Sequence, residues 1–274
     1  MIEKPLGKGD SLQHCSACRH IQRSLDFCQA DARNHAWGGS TSYDRIRNAL
    51  TFRAIKRHLN RDNPQDQQVL EIGFGAGHLL RKFIEAGYQA AGVERNMLEI
   101  QVDPLVKSQA ELYTNIAEDQ NIPANRFDLI NGIHVIEHLD NPQAVYKSAH
   151  RLLKTGGILY LITPNAESKG LSLFKDKWWN LEDPSHIRFY SPASIRMALQ
   201  EAGFRDIRVH VPRWDSLTLE VNSFMRIFHG NKGDSGVLGR PLTKFMDLLL
   251  LPLMLLLRLA YPKICPSIEI IAYK

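Results

Sequence analysis

The chain has 274 residues, 44% of them hydrophobic and 23% charged, which excludes a disordered protein and allows one large core or a domain with appendages. Its formal charge of +5 comes without any dense Lys/Arg run, so a nucleic-acid partner is not expected, while an anionic membrane or substrate is. The first twenty residues lack the apolar core of a secretory signal, and four cysteines without secretion imply a reducing compartment, so the expected setting is cytoplasmic.

Cys15 and Cys18 form a C-x-x-C pair, followed by Cys28 and Asp31. A zinc ribbon needs two such pairs. Here a fourth ligand would have to come from Asp31, His35, His14 or His20, so segment 1–42 reads either as a zinc site completed in that way or as a degenerate ribbon with free thiols. His35 to Tyr43 reads as a flexible joint. Asp44 to Leu59 carries Ile46, Leu50, Ile55 and Leu59 among basic residues, an amphipathic helix. Its Arg47 and Arg53 belong either to a solvated basic face or to the rim of a site.

After a polar linker, Val69 to Ile72 is an apolar run that reads as a buried parallel strand. Gly73, Gly75 and Gly77 turn the chain without side chains where a ligand could lie. Leu79, Leu80, Phe83 and Ile84 then recur at helical spacing over His78–Glu85, Gly87 stops that helix, and Gln89–Val93 rises as the next strand into Glu94. A carboxylate about twenty residues past such a turn can accept both hydroxyls of a ribose. Dinucleotide sites favour G-x-G-x-x-G, with a helix N-terminus facing a pyrophosphate. Here the spacing is G-x-G-x-G with Glu71 just before it, which repels phosphate and suits the ammonium of S-adenosylmethionine.

A short helix is expected over Met97–Gln101 and another after Pro104. Further strands follow at Glu111–Ile116, Phe127–Asn131, Ile158–Thr163, Phe204–Val211 and Ser267–Tyr273. Helices are expected at Asn141–Leu153, ended by a loop at 154–157, and at Ser191–Ala202 with Ser191 as N-cap and Gly203 as stop. Alternating strands and helices make an α/β sheet whose site lies at the carboxyl ends of the strands.

The pieces VLEIGFGAG, GVE, FDLINGIHVIEHLDNP, LLKTGGILYLITPN and HIRFYSPASIRMALQEAGF, in this order between Val69 and Phe204, resemble the class I S-adenosylmethionine-dependent methyltransferases, especially the ubiquinone-biosynthesis O-methyltransferase branch. The resemblance implies a Rossmann-like, seven-stranded, mostly parallel sheet with an antiparallel last strand beside the fifth and helices on both faces. It implies a methyltransferase domain over 43–274, with a lid at 164–190 and an apolar insertion at 214–266. For the cofactor S-adenosyl-L-methionine it implies contacts at Glu71, Gly73, Gly75 and Gly77 (methionine moiety), Glu94 (ribose), Arg53 (carboxylate), Ile116 and Ala117 (adenine edge) and Ile133 (pocket wall). Phe74 stands where the family commonly has a small residue, and the loop after the third strand lacks the family's acidic residue for the adenine amine.

Methyl transfer needs an aligned nucleophile and a group to take its proton. If HVIEHL turns helically, His134, Glu137 and His138 share a face and could take that role or hold a divalent cation. The relatives carry E-x-x-E-H here, and His134 replaces their first glutamate. No metal is assigned. His186 falls where the family places a histidine above the pocket and is the first choice for general base, against a reading as a turn cap. Trp178 and Trp179 read as lid or as core.

The excursion before the last strand contains ten consecutive apolar residues between Asp247 and Arg258, short of the ~18–20 of a bilayer span. It reads as a dimer or lid element, or as a patch at 242–261 dipping into an anionic leaflet with Arg240, Lys244 and Arg258 at the headgroups. The expected activity is methyl transfer, to oxygen, of a small-molecule or lipid-linked acceptor such as a quinone or glycan precursor. The rivals are an NAD-binding reductase and a non-catalytic, membrane-associated adaptor of the same fold.

Overall fold

The computed structural model describes residues 2–7, 10–23, 42–59, 62–95, 101–115, 122–181, 183, 185–229 and 241–274. In chain order the elements are β1 (Ile2–Gly7), β2 (Asp10–His14), β3 (Ile21–Arg23), α1 (Ser42–Lys56), β4 (Gln68–Ile72), α2 (His78–Glu85), β5 (Gln89–Val93), α3 (Pro104–Gln109), β6 (Glu111–Tyr113), β7 (Phe127–Ile133) and α4 (Pro142–Leu152). There follow β8 (Leu153–Pro164), α5 (Lys169–Phe174), β9 (Arg188–Phe189), α6 (Pro192–Glu201), β10 (Arg205–His210), α7 (Leu219–His229), α8 (Pro241–Ala260) and β11 (Ser267–Tyr273). The chain divides into two compact units, one of residues 33–162, 196–209 and 269–274, the other of 1–32, 163–195 and 210–268.

The first unit holds the seven-stranded sheet, in the order β10-β11-β8-β7-β4-β5-β6. Strands β4 to β8 pair in parallel. The backbone of Lys274 exchanges hydrogen bonds with Gly156 and Gly157, and Asn165 donates to Pro266. One partner's number falls as the other's rises, so β11 runs antiparallel beside β8, as the sequence implied. The apolar runs become the innermost strands: four of the five residues of β4 and all of β8 from Ile158 onward are buried. Helix α2 buries Leu79, Leu80 and Phe83, and Asn141 caps α4 by accepting from the Ala144 amide. Ser191 and Ser194 cap α6 reciprocally, each hydroxyl accepting the other's amide.

Several boundaries differ from the expectation, two of them at stretches read as a stop or a joint. β8 begins at Leu153, directly after α4, where a loop was expected at 154–157; Gly156, with φ of 76°, bends the strand rather than ending it. Helix α1 begins at Ser42, inside the stretch read as a joint. The expected helix over Met97–Gln101 falls almost wholly outside the described residues, as do Ile116 and most of the 35–43 joint.

The second unit gathers three stretches that the sequence reading kept apart: the N-terminal segment, the lid and the excursion. β1, β2, β3 and β9 form an antiparallel sheet that local periodicity did not announce. Its core joins Leu12, Ile21, Trp178, Leu181, Phe189 and Leu219. Trp178 is fully buried there, so it is core. The Arg23 guanidinium ties β3 to the lid by donating to the carbonyls of Asp183 and Leu181.

In α8 the two charged residues that flank the leucine run turn inward. Arg258 is fully buried, which corrects its expected place at a headgroup. Its guanidinium grips both carboxylate oxygens of Glu220 at 2.8 and 2.6 Å and the carbonyls of Arg213, Asp215 and Ser216. Asp247, also buried, accepts from the Asn222 amide at 3.2 Å, and burial pushes its carboxyl up to about 7. Between the unfolded value near 3.8 and that folded value, the folded chain keeps a proton the unfolded chain has lost, so stability falls as pH rises through this window. Asp247→Asn is therefore expected to raise the thermal midpoint by several degrees at about pH 8 and to leave it nearly unchanged at about pH 4. Equal effects at both values would show that Asp247 is not the titrating group.

Candidate active site

The site is built at the carboxyl ends of β4, β5 and β7, where parallel strands leave a crevice. Gly73, Gly75 and Gly77 all adopt positive φ. Gly73 is required for a second reason: a Cβ there would meet Val135 Cγ2 at 2.4 Å. The turn is clamped to β5, since the Gly73 amide donates to the Val93 carbonyl at 2.7 Å and the Gly75 amide to Glu94 Oε2 at 3.0 Å. Phe74 leaves the turn for the core, where it packs with Leu80 and Val106. Gly92 of β5 makes the room, for a Cβ there would meet the Phe74 ring at 2.5 Å.

Glu71 is buried near the end of β4, paired across the sheet with Gly92 on one side and Asn131 on the other. Burial, and after it the negative charge of Glu94, raises its carboxyl well above the usual range. Its Oε2 has no hydrogen-bond partner. Asn131, which the sequence reading passed over, is fully buried; it donates to the Leu70 carbonyl at 3.3 Å, and its Oδ1 is unpartnered. The signal that could have found it is a carboxamide directly after the apolar pair Leu129 and Ile130, near the end of a buried strand.

Beyond β7, Ile133 is half-buried. The expected helical turn through His134 is replaced by a 3₁₀ turn over Ile136–His138, preceded by His134 in the left-handed region with φ of 55°. His134 Nδ1 still reaches Glu137 Oε1, at 3.2 Å, and Glu137 is fully buried while His138 is half-buried. The contact is made by the backbone reversal rather than by helical spacing. Arg53 is exposed on α1, where it lines a cleft of about 310 Å³ with Phe52, Lys56 and Arg57. Arg47 pairs with Asp44 of the same helix at 3.4 Å. Ile116 and Ala117 lie outside the described residues.

In the second unit, His186 is buried, and its Nδ1 lies 2.7 Å from the Asn180 carbonyl. A carbonyl only accepts, so Nδ1 carries the hydrogen and Nε2 is the basic nitrogen. Asp183 Oδ2 stands 3.8 Å from Nε2. Cys15 and Cys18 lie on the β2–β3 turn, where hydrogen bonds from Cys18 and from the Ala17 amide hold the Cys15 thiol below its usual range. Cys28, Asp31 and His35 lie outside the described residues.

A family model described as a methyltransferase domain matches residues 43–209. The chain belongs to that family. This methyltransferase chain is similar to the ubiquinone biosynthesis O-methyltransferase of Rhodopseudomonas palustris, 27% identical over 141 residues that cover 48% of this chain and 56% of that one. It thus spans about half the length of the curated relatives it matches. Among solved structures it resembles a SAM-dependent methyltransferase from Archaeoglobus fulgidus, with TM-score 0.53, 21% identity and coverage of 83% and 94% of the two chains. It also resembles phosphoethanolamine N-methyltransferase 2 of Haemonchus contortus in complex with S-adenosyl-L-methionine, with TM-score 0.54, 20% identity and coverage of 82% and 52%. At these identities the structural likeness speaks for the fold.

The cofactor of a methyltransferase domain of this fold is S-adenosylmethionine, and the residues of the cradle fit it. A turn without side chains, an unpartnered buried carboxyl oxygen on Glu71, which a bound cation would help to ionise, and the carboxylate of Glu94 form a cradle that suits a cation and not a pyrophosphate.

Proposed function

We propose that this chain transfers a methyl group from S-adenosylmethionine to an oxygen of a small-molecule or lipid-linked acceptor. Bound S-adenosylmethionine supplies an electrophilic methyl group on a sulfonium. The protein's part is to hold that donor between Glu71 and Glu94, to orient the acceptor and to take its proton. The observation that carries the donor half is the orphan Glu71 oxygen beside a turn that only glycine can make. Support for oxygen as the target comes from curated relatives described as O-methyltransferases, and from two imidazoles presented as bases. His186 is oriented by the Asn180 carbonyl, and His134 by Glu137.

Incubating the full chain with methyl-labelled S-adenosylmethionine and catechol, quinol and lipid-extract acceptors tests this reading. Label in an acid-stable, organic-extractable ether is the expected product. Label only in water-soluble amines would overturn the choice of oxygen. With an active acceptor in hand, His186→Ala should lower kcat by roughly 100-fold or more with donor affinity unchanged. An unaltered kcat would remove His186 from the reaction.

A further inference from the structure

Helices α7 and α8 have their polarity reversed. In α7 the polar residues Glu220, Asn222, Ser223 and Arg226 are buried, while Phe224, Ile227 and Phe228 are exposed. In α8 Asp247 and Arg258 are buried, and every exposed position from Phe245 to Ala260 is apolar. At 100° per residue those positions cover an arc of about 160°, along a helix of about 30 Å. Leu249 is 59%, Leu256 63% and Phe228 67% exposed. The inward side carries its own polar network: the Arg258 grip on Glu220, the Asn222–Asp247 bond, and the Ser223 hydroxyl, which donates to the Leu219 carbonyl and accepts from the Trp179 amide. An apolar surface of this extent marks an interaction site.

We infer that the α7/α8 face docks on the surface of an anionic lipid leaflet, with α8 lying in the interface. Three features favour lipid over a second copy of the chain. Protein interfaces keep polar residues in and around an apolar centre, whereas the described exposed positions of these two helices carry none. A helix whose charges point into the protein and whose hydrocarbon points outward is arranged for an apolar solvent. The flanks are basic: Arg213 and Lys263 are exposed, and in sequence the stretch between the helices, 230–240, carries Lys232 and Arg240 against Asp234, with Lys244 following in the first turn of α8. No described helix is long and apolar enough to cross a membrane, which suits a helix that lies on the leaflet. The inference does not depend on the catalytic reading, because its test measures binding to lipid.

The test is flotation of the full chain with vesicles of phosphatidylcholine alone and of equal parts phosphatidylcholine and phosphatidylglycerol, paired with the molar mass in solution without lipid. The expected result is flotation with the anionic vesicles, weakened by salt and by omission of phosphatidylglycerol. The double variant Leu249→Lys/Leu256→Lys should lose at least about tenfold in vesicle affinity while keeping its thermal midpoint and S-adenosylhomocysteine binding. A wild-type chain that does not float, and is a dimer that the double variant makes monomeric, would assign the face to a second copy and overturn the inference. A monomer that does not float would overturn it as well. So would flotation that the double substitution leaves unchanged.

Discussion

Glu94→Ala should weaken S-adenosylhomocysteine binding by about 100-fold, the loss expected when a carboxylate making two hydrogen bonds of ~1.5 kcal/mol each is removed. The position of Glu94 is set from both sides. Its amide donates to the Tyr113 carbonyl at 3.0 Å, and its Oε2 accepts from the Gly75 amide at 3.0 Å, so the second oxygen is aimed without freedom to reorganise. Equilibrium dialysis against labelled ligand reads the effect, and a loss under threefold would contradict the assignment. Glu71 adds a signature in pH. Its carboxyl is raised by burial and by Glu94, and a cation is bound better by the ionised form, so affinity for S-adenosylmethionine, through its ammonium, should climb as pH rises and Glu71 ionises. Glu71→Gln should flatten that slope and lower the plateau.

The second large effect concerns the fold. Arg258→Met leaves Glu220 buried without its partner, at a cost of about 3–5 kcal/mol, and should lower the thermal midpoint by roughly 10 °C. All five N–H donors of the guanidinium are engaged, two of them on Glu220. The double variant Arg258→Met/Glu220→Leu should recover most of the loss, because a buried pair replaced by apolar groups of similar size is close to neutral. If the single variant unfolds within a degree or two of wild type, Arg258 is not the pin that joins α7, α8 and the 213–216 turn.

Arg258 also shows where sequence reasoning fails. Ten apolar neighbours made α8 legible as a helix, and its arginine then looked like the polar end of that run. Its partner Glu220 lies 38 residues away, and no local pattern connects them. The N-terminal sheet was missed for the same reason: β3 finds its mate in β9 more than 160 residues later, at Gln22 and Arg188. By contrast, β4, α2 and β5 follow from periodicity and glycine placement within 26 residues, and they were read to within one residue. Phe74 was legible as a departure but not in its consequence, since its fit depends on Gly92 in the neighbouring strand. His134 and Glu137 do come within reach of each other, but not through the helical turn expected, because spacing says nothing of a left-handed residue at the end of a strand.

The account depends most on the pair of carboxylates holding a cationic methyl donor against the glycine turn. Isothermal titration of the full-length wild-type chain with S-adenosylhomocysteine, and separately with NADH, tests it most directly. Saturation at one site by S-adenosylhomocysteine and no heat from NADH is the expected result. Binding of NADH alone, or no binding of either ligand at saturating concentration, would contradict it.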